Sequence, residues 1–447
     1  MSVLAPSIAA LRDIDPVIVV GRVRAITGLL VHVESLPAPI GALVRIGEAR
    51  GEVVGFKHDE ASVMLLGDAD GVRPGDRVEL VESRPSIWAG DWALGRVVNG
   101  LGRAIDGGGP PAEPERRAIA ATSVRAMQRE RIDTLMPTGV RAIDLMTPLG
   151  RGQRVGIFAG PGVGKSTLLS MIAKRCSSDV NVIALIGERG REVREFIEDA
   201  LGPEGRARSV VVVATSDEAP PMRVRAAMVA CAYAELFRDR GMSVMLMVDS
   251  ITRFAHAQRQ IGLAVGEPPA TKGYTPSVFA MLPRLLERAG AVRTPAGVGS
   301  ITGLYTVLVE GDDMTDPIAD ATRGILDGHL LLSRKLAQRG HFPAIDVLGS
   351  VSRVATHVAD EAHLASRELL VRLLAAYDEA EELIQIGAYA QGSNREVDAA
   401  IALKPEIDGL LRQRGDEREP FVRTKQRLEE LVRKAIPLLG DPGRARS

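Results

Sequence analysis

The sequence predicts an α/β core set between a small closed β-barrel and a C-terminal helical domain. Three observations carry this. Short β-rich runs occupy the first fifth of the chain, apolar runs alternate with helical patterns through its middle, and three- and four-residue apolar spacing dominates its end. A chain of 447 residues also exceeds what one hydrophobic core supports, so several domains are expected.

Residues 1–90 read as the barrel with a short N-terminal extension. Runs at 17–23, 29–33, 42–46, 52–56 and 62–66 recur at regular short spacing with Gly and Pro between them, the pattern of a small barrel. Residues 7–12 carry the spacing of a brief amphipathic helix. The Pro-rich, charged stretch 110–117 reads as an exposed connection. Residues 91–355 form the core, where 181–186, 209–214, 243–248 and 303–309 are continuously hydrophobic. Strands covered by helices on both faces have this composition, which predicts a parallel sheet. Residues 356–447 form the helical domain, with helical spacing at 361–376, 378–386, 394–411 and 421–432.

Composition narrows the function classes. A net charge of −1 leaves no electrostatic footprint for nucleic acid or an anionic membrane surface. Two cysteines, Cys176 and Cys231, lie far apart in apolar, helix-like surroundings and read as small core residues of a reducing compartment. The N-terminus lacks a basic region followed by an apolar stretch, and no run of 18 apolar residues exists, so a cytoplasmic protein is expected.

The chemistry begins at Ala159-Gly160-Pro161-Gly162-Val163-Gly164-Lys165-Ser166, followed by Thr167 at the start of a helical pattern. Strand, Gly-rich loop and helix N-terminus form the setting in which backbone N–H groups cradle a polyphosphate. Lys165 would reach the β- and γ-phosphates, and Ser166 would hold Mg²⁺ through its hydroxyl. The motif's first glycine is Ala159 here, at a position that needs only a small residue. The chain therefore reads as binding a nucleoside triphosphate. Asp249 ends the apolar run 243–248, where such a site takes a water-mediated Mg²⁺ partner; a helix-capping Asp gives the same pattern. Glu188, just after 181–186, is the candidate for polarising the attacking water, and a solvated turn with Arg189 and Glu192 on the surface is the alternative. Arg353 follows a small-residue stretch and reads either as a surface arginine or as a finger lent to a neighbouring subunit.

Three further blocks carry a family resemblance. They are Thr138-Gly139-Val140-Arg141-Ala142-Ile143-Asp144 with Gly150-Arg151-Gly152-Gln153-Arg154, then 273–279 with 282–290, then 325–329 through 332–334 to 340–346. With the phosphate loop they resemble the hexameric ATPases related to the catalytic subunit of rotary ATP synthases, and within them the type III protein-export ATPases, the flagellum-specific one above all. The resemblance spans nearly the whole chain. It implies a RecA-like P-loop core, ATP and Mg²⁺ as substrate and cofactor, and a homohexamer with nucleotide between subunits. It also implies Glu188 as the catalytic carboxylate, Arg353 as a finger acting in trans, and Arg189 and Arg253 around the phosphates. Phe342 falls where the family stacks an aromatic ring on adenine, with Tyr389 as a second wall; Phe in place of Tyr keeps the stacking face.

The implied partners are stator and central-stalk proteins, export chaperones and cargo, with peripheral association at a membrane export gate on the cytoplasmic face of the inner membrane. An injection-type secretion ATPase is the near alternative, and a rotary-synthase subunit is more distant. An RNA translocase would want a basic, aromatic-studded barrel, whereas Phe56 is the only aromatic before Trp88 and acids such as Glu34, Glu48, Glu52 and Asp59 intervene. A non-catalytic scaffold would lack Glu188.

Overall fold

The computed structural model describes residues 18–109, 115–120, 124–309 and 313–440; the helix expected at 7–12 lies outside the described residues. Six strands, β1 (Val20–Thr27), β2 (Leu30–Glu34), β3 (Leu43–Ile46), β4 (Ala49–Lys57), β5 (Glu60–Leu65) and β6 (Arg77–Glu82), close a barrel in the order β1-β2-β5-β4-β3-β6. Strand alternation turns Val31, Val33, Val44, Val53, Val63 and Val78 into its interior. Five strands fall on the five apolar runs. The sixth was missed because β6 is charge-rich: Glu79 pairs with Arg45 of β3 and with Arg77, so its outer face reads as polar.

Beyond the barrel come β7 (Ser86–Ala89), β8 (Val97–Asn99) and β9 (Glu115–Ala118). The connection expected at 110–117 is exposed over most of its described part, and it is also a strand. Residues 115–118 form β9, antiparallel to β7, with the Arg116 guanidinium 4.1 Å from the Trp88 ring centre. Residues 110–114 lie outside the described residues.

The core strands are β10 (Arg154–Ala159), β11 (Val180–Ile186), β12 (Ser209–Ala214), β13 (Ser243–Asp249), β14 (Gly290–Thr294), β15 (Gly297–Leu308), β16 (Gly328–Leu332) and β17 (Ile345–Ser352). They form one sheet in the order β17-β16-β10-β15-β13-β11-β12-β8, with β14 paired on β15. The sheet is parallel except at two places, where the wholly parallel expectation is corrected. β14 and β15 make a hairpin whose turn is closed by Thr294, and β17 runs antiparallel to β16 at the sheet's edge. The hairpin also starts β15 at Gly297, ahead of the expected 303.

The helices used below are α1 (Arg141–Met146), α2 (Lys165–Arg175), α3 (Pro220–Asp239), α4 (Ile251–Ala264), α5 (Glu361–Gln385), α6 (Arg395–Leu411) and α7 (Phe421–Leu439). α3 and α4 bury one face of the sheet through Phe237, Phe254 and their neighbours. The other face is buried by α1 and α2 together with Leu370, Leu403 and Leu428 of the C-terminal helices. The C-terminal helices thus share a hydrophobic core with the loop-bearing side of the sheet. The two helical runs expected at 361–376 and 378–386 are one helix, because nothing at Tyr377-Asp378 breaks it. Both cysteines are free and buried.

The block 138–144 does structural work. Asp144 accepts the N–H and hydroxyl of Thr138 (2.7 Å each) and the Gly139 N–H (2.9 Å), closing the turn that launches α1. Burial pushes its carboxyl up to about 6 against those three donors. Asp144→Ala strands two backbone donors and a buried hydroxyl. It is expected to destabilise the fold by about 2–4 kcal/mol, read as a lowered thermal-unfolding midpoint.

Candidate active site

β10 is an interior strand, hydrogen-bonded to β15 and β16 along its length. Ala159 is its last residue, buried opposite Leu308 and Leu332, and a methyl group fits there in ordinary extended backbone. The chain then turns through Gly162 (φ 75°) and Gly164 (φ 95°), left-handed conformations that favour glycine. Gly164 caps α2 without any side-chain acceptor, so the first-turn N–H groups of Lys165, Ser166 and Thr167 face the loop's concavity. Pro161 and Gly162 are exposed at its rim, and Val163 is buried beneath it.

Three strand ends converge on this loop. The Lys165 ammonium touches the Asp249 carboxylate and lies 3.5 Å from Glu188 Oε1. Asp249, the last residue of β13, is buried, and one of its oxygens accepts the Thr306 hydroxyl of β15 at 2.6 Å. Thr306 was not singled out in the sequence, and its place in an unbroken apolar strand gave no signal. Glu188 follows β11, where Gly187 (φ 70°) turns the chain. A Cβ there would stand 2.9 Å from Arg253 Cβ, so the turn needs glycine both for its backbone and for Arg253's stem. Burial lifts the Glu188 carboxyl above its ordinary range; the Lys165 ammonium opposes this and the Asp249 charge adds to it. Ser166, Thr167, Glu188, Glu192 and Asp249 line one cavity of about 500 Å³. A carboxylate held half-dehydrated beside a phosphate loop suits proton transfer to or from water.

The arginines divide. Arg253, in the first turn of α4, packs its stem on Gly187 and lines a separate cavity with His256 and Arg259. Arg189 has 82% of its side chain exposed, 3.5 Å from Glu192. Arg353 is exposed at the far end of the sheet. Its N–H donates to the Asp327 carbonyl (2.9 Å), and Asp327 in turn holds Arg154 at the start of β10. Arg353 is therefore separated from its own loop by the length of β10, about 17 Å.

Phe342 lies over the loop: a Cβ on Gly164 would stand 3.7 Å from its ring. The ring, Gly164, Thr167 and Leu168 form one side of a cleft of about 930 Å³. Tyr389 is not among its walls. Its hydroxyl donates within the connection between α5 and α6, reaching the Asn394 carbonyl (3.0 Å) and Asp398 (3.1 Å). The opposite wall is Arg412–Asp416, between α6 and α7, a polar turn whose wording carries no sequence signal.

Comparison with known proteins agrees with this geometry. The family model for the ATP synthase alpha/beta family, beta-barrel domain, matches residues 16–81, and that family's nucleotide-binding domain matches 139–352. The T3SS EscN ATPase C-terminal domain matches 359–430. The flagellum-specific ATP synthase of Treponema pallidum is 50% identical over 429 residues, 95% of each chain. The type 3 secretion system ATPase of Xanthomonas euvesicatoria is 48% identical over 92% of this chain and 94% of its own. The assembled ATPase EscN of enteropathogenic E. coli superposes with a TM-score of 0.87 at 42% identity, covering 92% of this chain and all of that one. EscN in complex with its central stalk EscO superposes at 0.85 with 41% identity and the same coverage. A nucleotide-binding core between a β-barrel and a type III secretion C-terminal domain is the order these families match along the chain, and the chain belongs to the flagellum-specific and type III secretion ATPases of the ATP synthase α/β family.

Proposed function

We propose that this ATPase assembles as a homohexamer and energises the export of flagellar proteins through a type III secretion apparatus. The observation that carries the ring is Arg353, exposed at the opposite end of β10 from its own phosphate loop. A site with a loop, a lysine and a carboxylate but no arginine at the γ-phosphate is complete only when a second copy supplies one. The assembled EscN supports the same arrangement, and the EscN–EscO complex supports a central stalk as partner. Stator, chaperones, cargo and a membrane export gate are the remaining proposed partners. Among the described residues no helix is long and apolar enough to cross a membrane, so attachment at the gate would be peripheral.

In this reading the loop residues Gly160, Pro161, Gly162, Val163 and Gly164 wrap the phosphates, and the N–H groups of Lys165, Ser166 and Thr167 donate to them. Lys165 offsets the phosphate charge. Glu188 orients the attacking water and takes its proton. Arg253, which lines a separate cavity, and the exposed Arg189 do not line the cavity at Glu188, and the neighbour's Arg353 meets the charge that builds on the transferring group. Phe342 stacks on the base. Tyr389, packed against Asp398, has no direct part.

Mg²⁺ fits the donor set. The Ser166 hydroxyl and the Asp249 carboxylate line one cavity, and Thr306 fixes one Asp249 oxygen. Mg²⁺ takes few protein ligands and completes its shell with water and phosphate oxygens. It therefore needs no cluster of three acidic or imidazole groups, and none occurs among the described residues. Ser166 and, through water, Asp249 would hold the ion, which would supply positive charge against the phosphates.

Lys165→Ala should abolish phosphate release. Glu188→Gln should lower kcat by about 10²- to 10³-fold while nucleotide binding persists. Arg353→Ala should cut turnover by about 10³-fold or more with binding intact. Mixing the Lys165→Ala and Arg353→Ala proteins should restore activity, since some sites then pair an intact loop with an intact arginine. Normal turnover by Arg353→Ala alone defeats the intersubunit reading. Deleting the gene should abolish flagellar filaments and motility; intact motility with lost effector secretion would favour the injection-type system.

A further inference from the structure

We infer that Arg141, with Gln413, is a positioning residue for the base side of the nucleotide cleft. The inference rests on the reading of that cleft as the adenine site. Arg141 begins α1, is only 4% exposed and lines the cleft beside Gln413, yet its hydrogen bonds do not go to the loop. Its guanidinium instead grips the turn that forms the cleft's far wall. Nε donates to the Leu410 carbonyl (2.8 Å) at the end of α6, Nη2 donates to the Arg412 carbonyl, and Nη1 meets Glu417 and Glu419 (3.2 Å to the latter). The Arg141 N–H donates to the Gln413 side-chain oxygen (2.9 Å).

Gln413 carries the link onward. Its amide donates to the carbonyls of Gly139 (3.0 Å) and Glu417 (3.1 Å), and its own N–H donates to the Phe342 carbonyl (2.9 Å). Phe342, whose ring lies over the loop, is thus bonded through its backbone to the opposite wall. That wall also reaches α2, where a Cβ on Gly415 would meet Thr167 at 4.0 Å. The Phe342 backbone and the opposite wall are therefore tied to each other and to the turn at residues 138–141.

This arrangement needs arginine. Two backbone carbonyls and two carboxylates are met by one planar fork of five donors, a geometry that a lysine ammonium with three donors does not reproduce. A loosened wall should weaken the part of binding contributed by the base and leave the phosphate part alone.

The experiment measures KM for ATP, kcat, and the inhibition constant of inorganic tripolyphosphate, which lacks base and ribose, on the full chain. Arg141→Lys should raise KM about tenfold, leave kcat within about threefold, and leave the tripolyphosphate constant within about twofold. Gln413→Ala should move KM in the same direction and is read alone if Arg141→Lys does not fold. A tripolyphosphate constant that rises in step with KM, or an unmoved KM, overturns the inference. Phe342→Ala separates it from the underlying reading. If Phe342→Ala also leaves the ratio of KM to the tripolyphosphate constant unchanged, the base does not lie in this cleft. If it moves the ratio and Arg141→Lys does not, only the positioning role fails.

Discussion

Strand β10 is held at both ends, and the rest of the site depends on that. At its base, Arg154 makes a paired contact with the Asp327 carboxylate (2.9 Å at each nitrogen), and Gln153 donates to the Asp327 carbonyl and the Ser352 hydroxyl (3.1 Å each). At its top the same strand releases the phosphate loop. A two-point arginine–carboxylate contact fixes direction as well as distance, so the strand's register against β16 leaves little freedom. The exposed Arg353 hangs from this clamp through its bond to Asp327. The phosphate loop thus lies at one end of this strand, and Arg353, bonded to Asp327, lies beside the other.

The blocks that carried the family resemblance prove to be largely architectural. Residues 138–144 close a turn through Asp144 and anchor the C-terminal helices through Arg141. Gln153 and Arg154 clamp the sheet. Arg288, in the block after Gly273, is buried against Glu235 in a two-point contact (2.7 and 2.8 Å) and also donates to the Ile119 carbonyl (3.0 Å). Such buried pairs tolerate little substitution, since removing either partner leaves an uncompensated charge. The phosphate loop, Glu188 and Asp249 lie apart from these architectural contacts, around one cavity.

Much of the site was legible because its parts are local. A Gly-rich loop after an apolar strand and a carboxylate at a strand's end each have a meaning within a few residues. Glu188 was ambiguous from its own neighbourhood, since a charged turn and a water-polarising acid share a spelling; only the tertiary structure brings it within 3.5 Å of Lys165. Tyr389 shows the reverse. An aromatic residue suited to stacking is spent on packing α5 against α6, with its hydroxyl tied to Asp398. The turn that lines the Phe342 cleft is polar, and nothing in its run of Arg, Gln and Asp announces a cleft wall. The sixth barrel strand was missed for a similar reason: its charges answer charges on β3, a long-range fact.

The sequence by itself determined what short-range physics controls. It specified three regions of different periodicity, a loop whose glycines admit left-handed backbone, and a lysine, serine and acid placed at the ends of strands. Only the tertiary structure decided which side chains meet. It set Phe342 and the turn after α6 on opposite sides of one cleft, buried Arg141 where it could hold that turn, and carried Arg353 away from the loop it follows in sequence. Those outcomes depend on sheet order and on the direction of the edge strand β17, which are fixed by contacts between residues far apart in the chain. No local pattern encodes them.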